Sequence, residues 1–356
     1  MLSQPSQGSA NPSASFPALW NYLEPALDHI LRSSHNGPKA PAIAVDYHMM
    51  AHTHLYNYFT AQSDASVNGP TTPSHATAPS GRPGGERFVA SGCDLYEQLD
   101  RYFAEVAREI LVNAPHEDND LFTYYAPSYE RYKAGVLSIA RLLNYVNRHY
   151  VKRAVDEDRG WMRLGDVVDV VASAAAALRE SAAGANGAEI SLRAKIAEQF
   201  RNRRNEELVK WGYIEGGSAE NAVKAEARAE AASAPDRIVP VSSLGLRRWR
   251  TDVLEPLLAT NAALKGKGKR RGGGANKGGG AGASADANPL PKSRFARAAR
   301  DWTSDSNSKV LPDEERRSIA RTVAESMADS GIKYDHPLRK KLAKFAGPAP
   351  NANGTG

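Results

Sequence analysis

Leu95, Leu99, Phe103, Val106 and Ile110 recur at intervals of three and four residues, the spacing that lines up side chains on one face of an α-helix. The interval returns from Phe16 to Leu31, where Leu19, Leu23, Leu27, Ile30 and Leu31 align with Trp20 beside them. It returns again from Ser128 to Arg153, through Tyr132, Val136, Ile139, Leu143, Val146 and Tyr150. Strand-type alternation is almost absent. Helices with a single apolar stripe must cover it against one another when no sheet is available, so the pattern predicts an all-α antiparallel helical bundle. Its expected core is Leu23, Leu27, Leu99, Phe103, Val106, Val136, Leu143 and Val146. Local signals add detail: Asp94 followed by Glu97 predicts a capping box, Ser128 an N-cap, Pro115 a stop, and Pro25 a start or kink in the first helix.

Between the stripes lie segments too poor in apolar residues to offset the entropy of ordering them. Residues 1–15 and 347–356 read as disordered ends, and 63–85 as a flexible loop inside a first bundle spanning 16–160. Residues 161–237 read as a long Ala- and charge-rich insertion, and 238–263 as the helix that closes the first bundle. A basic, glycine-rich linker follows at 264–294, then a short helical segment at 295–346. The single cysteine, Cys93, excludes an internal disulfide framework and fits a reducing compartment. With no signal-like start and no apolar run of about 20 residues, a soluble protein of cytoplasm and nucleus is expected.

Near the end of its stripe the third helical segment carries more than one face. Beside Leu143, Val146 and Tyr150 runs a neighbouring row of Leu142, Tyr145 and His149, where earlier turns of that row hold Gly135, Ser138 and Arg141. The segment Val45–Phe59 shows a similar excess: Tyr47, Ala51, His54 and Tyr58 form one row, with Val45, Met49, His52 and Tyr56 almost opposite. A helix apolar nearly all round has something on both sides, either more core or a partner.

The words "LWNYLEPALDHIL", "HTHLYNYFTAQ", "DLYEQLDRYFAEVAREIL", "YYAPSYERYKAGVLSIARLLNYVNRHYVKR" and "VPVSSLGLRRWRTDVLEPLL" occur in that order. Together they resemble the first cullin repeat of SCF-type cullins. The likeness covers roughly 20–159, resumes over 238–257 and continues more faintly from 316 to 345, as the start of a second repeat. It implies a cullin-repeat-like bundle with long disordered insertions, acting as a non-catalytic scaffold in ubiquitin-dependent protein degradation. In SCF-type cullins two helices of this repeat dock the BTB-fold adaptor that carries F-box proteins. Carried over, the adaptor-binding residues are His48, Met49 and His52 on the earlier helix, and Leu142, Tyr145, Arg148 and His149 on the later one. Aromatic and Met anchors flanked by Arg148, Lys152 and Arg153 suit an apolar centre with a charged rim. His48 and His52 stand where those cullins usually have tyrosines, which implies docking sensitive to pH between about 6 and 7. Nothing in the chain resembles the C-terminal cullin-homology domain, so no RING-box subunit is expected on it.

Other site readings are weaker. His48 and His52 lie one turn apart, but the glutamate of an HExxH motif is missing, so no metal site is assigned. No nucleotide fingerprint or catalytic Cys-His context points to an enzyme, and no cofactor is expected. Asp156, Glu157 and Asp158 read as a solvated charge run, and Cys93 as a quiet thiol. The alternative function is nucleic-acid binding or nuclear import through Lys265, Lys267, Lys269, Arg270 and Arg271 in the linker. That tract has no aromatic to stack on bases.

Overall fold

The computed structural model describes residues 11–33, 39–67, 92–167, 185–260, 293–304 and 311–347, and every regular element among them is a helix. The first bundle comprises α1 (Phe16–Leu31), α2 (Val45–Val67), α3 (Cys93–Val112) and α4 (Leu121–Leu142). The chain then runs through α5 (Asn144–Val146), a π-helical turn (Asn147–Val151) and α6 (Lys152–Asp156). Next come α7 (Ala185–Val209), α8 (Ala219–Ala232) and α9 (Val241–Trp249), the last prolonged by a second π-helical turn (Arg250–Leu254) into α10 (Glu255–Leu258). Finally α11 (Arg294–Trp302), α12 (Asp313–Asp329) and α13 (Pro337–Ala346) close the structure.

All eight expected core residues are buried, none more than 2% exposed. The helix boundaries depart from the local signals. Helix α4 begins at Leu121, upstream of Ser128, and carries Pro127 inside it. The cost of that proline is outweighed because Phe122, Tyr125 and Tyr129 extend the buried stripe through it. Ser128 is no cap here; its hydroxyl donates back to the Tyr124 carbonyl at 2.7 Å. The expected capping box of Asp94 and Glu97 does not form either. Gly92, at φ 89°, is the N-cap of α3, and Asp94 instead accepts hydrogen bonds from Tyr58 Oη and Gln62 Nε2, tying α3 to α2. Pro25 sits within an uninterrupted α1.

Trp249 is the centre of the packing. Fully buried, it lies 5.0 Å from Tyr132 and 5.4 Å from both Tyr125 and Tyr129 between ring centroids, and its indole N–H donates to Tyr125 Oη at 2.8 Å. Gly245 lets α9 approach α4 this closely: a Cβ there would stand 2.6 Å from Val136 Cγ1, while Tyr132 Oη donates to the Gly245 carbonyl at 2.9 Å.

The arginines of "LGLRRWR" are structural. Arg248 makes a two-pronged pair with Asp100 on α3. Arg247, 2% exposed, donates to Ser233 Oγ at 2.8 Å and to the Arg237 carbonyl at 2.9 Å, and Arg250 donates to the Ala232 and Ser233 carbonyls. Cations at the C-terminal carbonyls of a helix oppose its dipole and satisfy groups left without partners, which anchors α8 to α9. The Ala- and charge-rich region thus contributes a packed helix, burying Ala225, Ala229 and Ala231.

The last helices share this core. Phe295 of α11 lies 5.1 Å from Phe122 and 5.5 Å from Tyr125. From α12, Ser326 Oγ is 2.9 Å from Tyr125 Oη, and Asp329 pairs with Lys133 at 2.6 Å.

Candidate docking site

The two helical segments with surplus side chains come together. On α2 the inward row is Ala51, Leu55, Tyr58 and Phe59, all buried, with Tyr47 and His54 half-buried beside it. The Tyr47 ring stacks on Tyr22 at 4.9 Å, and its hydroxyl donates to the Tyr22 carbonyl at 2.5 Å. His54 meets the edge of Tyr22 at 4.8 Å and has Nδ1 3.3 Å from Ser13 Oγ. Its core-side position and hydrogen bond are those of a packing residue, and burial lowers its pKa. The opposite row stays open to solvent: Val45 at 73% exposed, Met49 at 64% and Tyr56 at 51%, with His48 and His52 exposed among them.

Across from this row stands Tyr145. Its ring meets His52 edge-on at 5.5 Å, Tyr56 at 6.0 Å and Phe59 at 5.2 Å, and it stacks on His149 at 3.9 Å. Tyr145 is therefore half-buried, its inner side fastened to α2 and its outer side shared with His149. Arg148, His149, Lys152 and Arg153 are exposed along the same edge. The His149 pKa is lowered first by partial burial and then by the charges of Arg148 and His52; the Tyr145 pKa is raised by burial and by Tyr56.

Leu142 is the exception, and a correction to the expected face. It is 4% exposed and belongs to the core. The row Leu142, Tyr145, His149 presumes one unbroken helix, but α4 ends there, with Leu143 at φ −99° and ψ 26°, and the π-helical turn that follows winds more widely than an α-turn. Leu142 still follows α4, on the buried face it shares with Gly135 and Ile139, and the break after it turns Tyr145 and His149 outward. Conversely, Tyr56 and Met50 (43% exposed) belong to the open surface and were not among the expected contacts. Tyr56 continues the four-residue spacing from His52, a signal present in the sequence.

Among the described residues no group of three or more His, Cys, Asp or Glu side chains is placed to hold a metal ion, and no helix is long and apolar enough to cross a membrane. Lys265, Lys267, Lys269, Arg270 and Arg271 lie outside the described residues, as do most of 63–85 and all of 348–356.

Fold and site together define an all-α protein that presents an open face of Met, Tyr and His side chains built by two helices, rimmed by Arg and Lys. No family model matches the chain, and no solved structure matches it. Curated relatives do. The chain is 27% identical to Cullin-1 of Dictyostelium discoideum over 144 residues, 40% of this chain and 17% of that protein. It is 28% identical to Cullin-1 of Caenorhabditis elegans over 142 residues, and 23% identical to cell division control protein 53 of Saccharomyces cerevisiae over 137 residues. These matches cover 39% and 38% of this chain, and 17% and 16% of the two relatives. Over that stretch the chain is cullin-like, at a distance, and it spans a small fraction of the length of the relatives it matches.

Proposed function

We propose that the protein is a non-catalytic, cullin-like scaffold that docks the BTB-fold adaptor of F-box proteins, serving ubiquitin-dependent protein degradation in cytoplasm and nucleus. The docking face comprises His48, Met49 and His52 from α2 and Tyr145, Arg148 and His149 from the segment after α4, with Tyr56 added and Leu142 supporting it from below. One observation carries the reading: Tyr145 is locked between α2 and His149, while Met49, three residues before His52 on α2, is 64% exposed. A ring already fixed in place loses little entropy on binding, and an exposed Met on the same open row of α2 adapts to a partner's surface. Exposed cations around an apolar centre favour an acidic partner and speed its arrival.

Titration calorimetry with purified BTB-fold adaptor tests this. Tyr145→Ala should weaken the complex by about 2 kcal/mol or more, as for a binding hot spot, with folding retained. Equal affinity of variant and wild type would remove Tyr145 from the interface. Adaptor binding should also survive deletion of 265–277; loss of binding on that deletion would move the function to the basic tract.

A further inference from the structure

We infer that a second surface, built from elements outside the docking face, binds an acidic peptide segment carrying a bulky apolar side chain. A cleft of about 700 Å³ opens between the turn after α7 and the turn before α13, with Arg228 of α8 in its lining. Lys210, Arg228, Lys333 and Arg339 line it, against one lining carboxylate, Asp335.

The cations are incompletely matched. Arg228 donates from Nη1 to the Trp211 carbonyl at 3.3 Å, but its buried Nε makes no hydrogen bond, and the Asp329 carboxylate lies 3.5 Å from it. Arg339 lies over the Tyr334 ring at 5.3 Å and donates to the Ile332 carbonyl; burial first, and then Arg228, lowers its pKa, with Asp329 and Tyr334 opposing. Among the described residues neither Arg339 nor Lys333 has a carboxylate within ion-pair distance. Arg228 and Arg339 draw on one carboxylate, Asp329, which Lys133 already holds at 2.6 Å, so the cleft keeps net positive charge that attracts an anionic ligand.

The same walls are apolar. Ile214 is 64% exposed and Tyr334 67%, unusual exposure for side chains of this size lining one cleft. A ligand that satisfies both features has carboxylates for Lys333, Arg228 and Arg339 and a Leu or Phe for Ile214 and Tyr334. A nucleic-acid strand fits less well. Asp335 on the wall and Asp329 behind Arg228 oppose a continuous phosphate backbone, and Arg339 already covers one face of Tyr334.

Fluorescence anisotropy on the full chain tests the proposal, with three labelled probes: a short Asp/Glu peptide around a Leu-Phe pair, the same peptide with Lys for every acid, and single-stranded oligothymidylate. The acidic peptide should bind, less tightly as salt rises, and the basic one should not. Lys333→Glu and Tyr334→Ala, both at exposed positions, should each raise its Kd by about tenfold. Both variants should keep the wild-type circular dichroism spectrum, urea midpoint and adaptor affinity. The proposal is overturned if the acidic peptide does not bind, if both variants bind it like wild type, or if oligothymidylate binds more tightly than the peptide.

Discussion

The Tyr145 and His149 rings lie 3.9 Å apart and only 21° from parallel, so the imidazole of His149 is held against a phenol ring instead of turned freely into water. Partial burial, Arg148 and His52 each favour its neutral form. The folded protein therefore binds fewer protons here than the unfolded chain. Its contribution to stability is complete above the unfolded value of about 6.5 and is lost as pH falls through the lower folded value. His149→Gln should lose less stability than wild type when urea unfolding is repeated from about pH 7.5 down to about pH 5. Parallel losses would remove His149 from the acid sensitivity.

Leu99 and Met49 should separate the core from the proposed docking face. Leu99 is fully buried, so Leu99→Ala should cost about 2 to 5 kcal/mol in denaturant unfolding. Met49 is 64% exposed, so Met49→Ala should change stability by no more than about 0.5 kcal/mol and act only on adaptor affinity. A large stability loss at Met49 would show that it is packed in solution.

Glu230 is a buried carboxyl, 8% exposed, whose side chain accepts one hydrogen bond, from Ser243 Oγ at 2.5 Å. Burial pushes its pKa up to about 7, with Ser243 opposing and Glu226 adding. A raised carboxyl favours the protonated form in the fold. Its stabilising effect is complete below the unfolded value of about 4.3 and is lost as pH rises through about 7. Glu230→Gln, uncharged throughout, should be more stable than wild type above about pH 7, by at most a few kcal/mol. Identical pH profiles in calorimetry would contradict this.

Gly245→Ala should destabilise the bundle by about 1 to 3 kcal/mol, because its methyl would sit 2.6 Å from Val136 Cγ1 at the closest approach of α9 to α4. Val136→Ala in the same chain should recover part of the loss. Failure of the pair to couple in a double-mutant cycle would mean that α9 moves away instead.

Much of this molecule was legible in the sequence, because helical periodicity is a local property that each stripe states by itself. Leu19, Leu23 and Leu27, or Leu95, Leu99 and Phe103, specify both a helix and its inward side, and an all-α bundle follows once no strand pattern is present to receive them. The crowding of Met, Tyr and His on two helices was visible in the same way, as residues beyond what one stripe needs. Tertiary structure decided the rest. Tyr145 and His149 parted from the buried Leu142 because the chain leaves the helix at Leu143, a phase break that no spacing rule registers. Asp94 turned one oxygen to Tyr58 and Gln62, and Arg247 and Arg250 closed the end of α8, because those partners lie on other elements and become neighbours only once the helices pack.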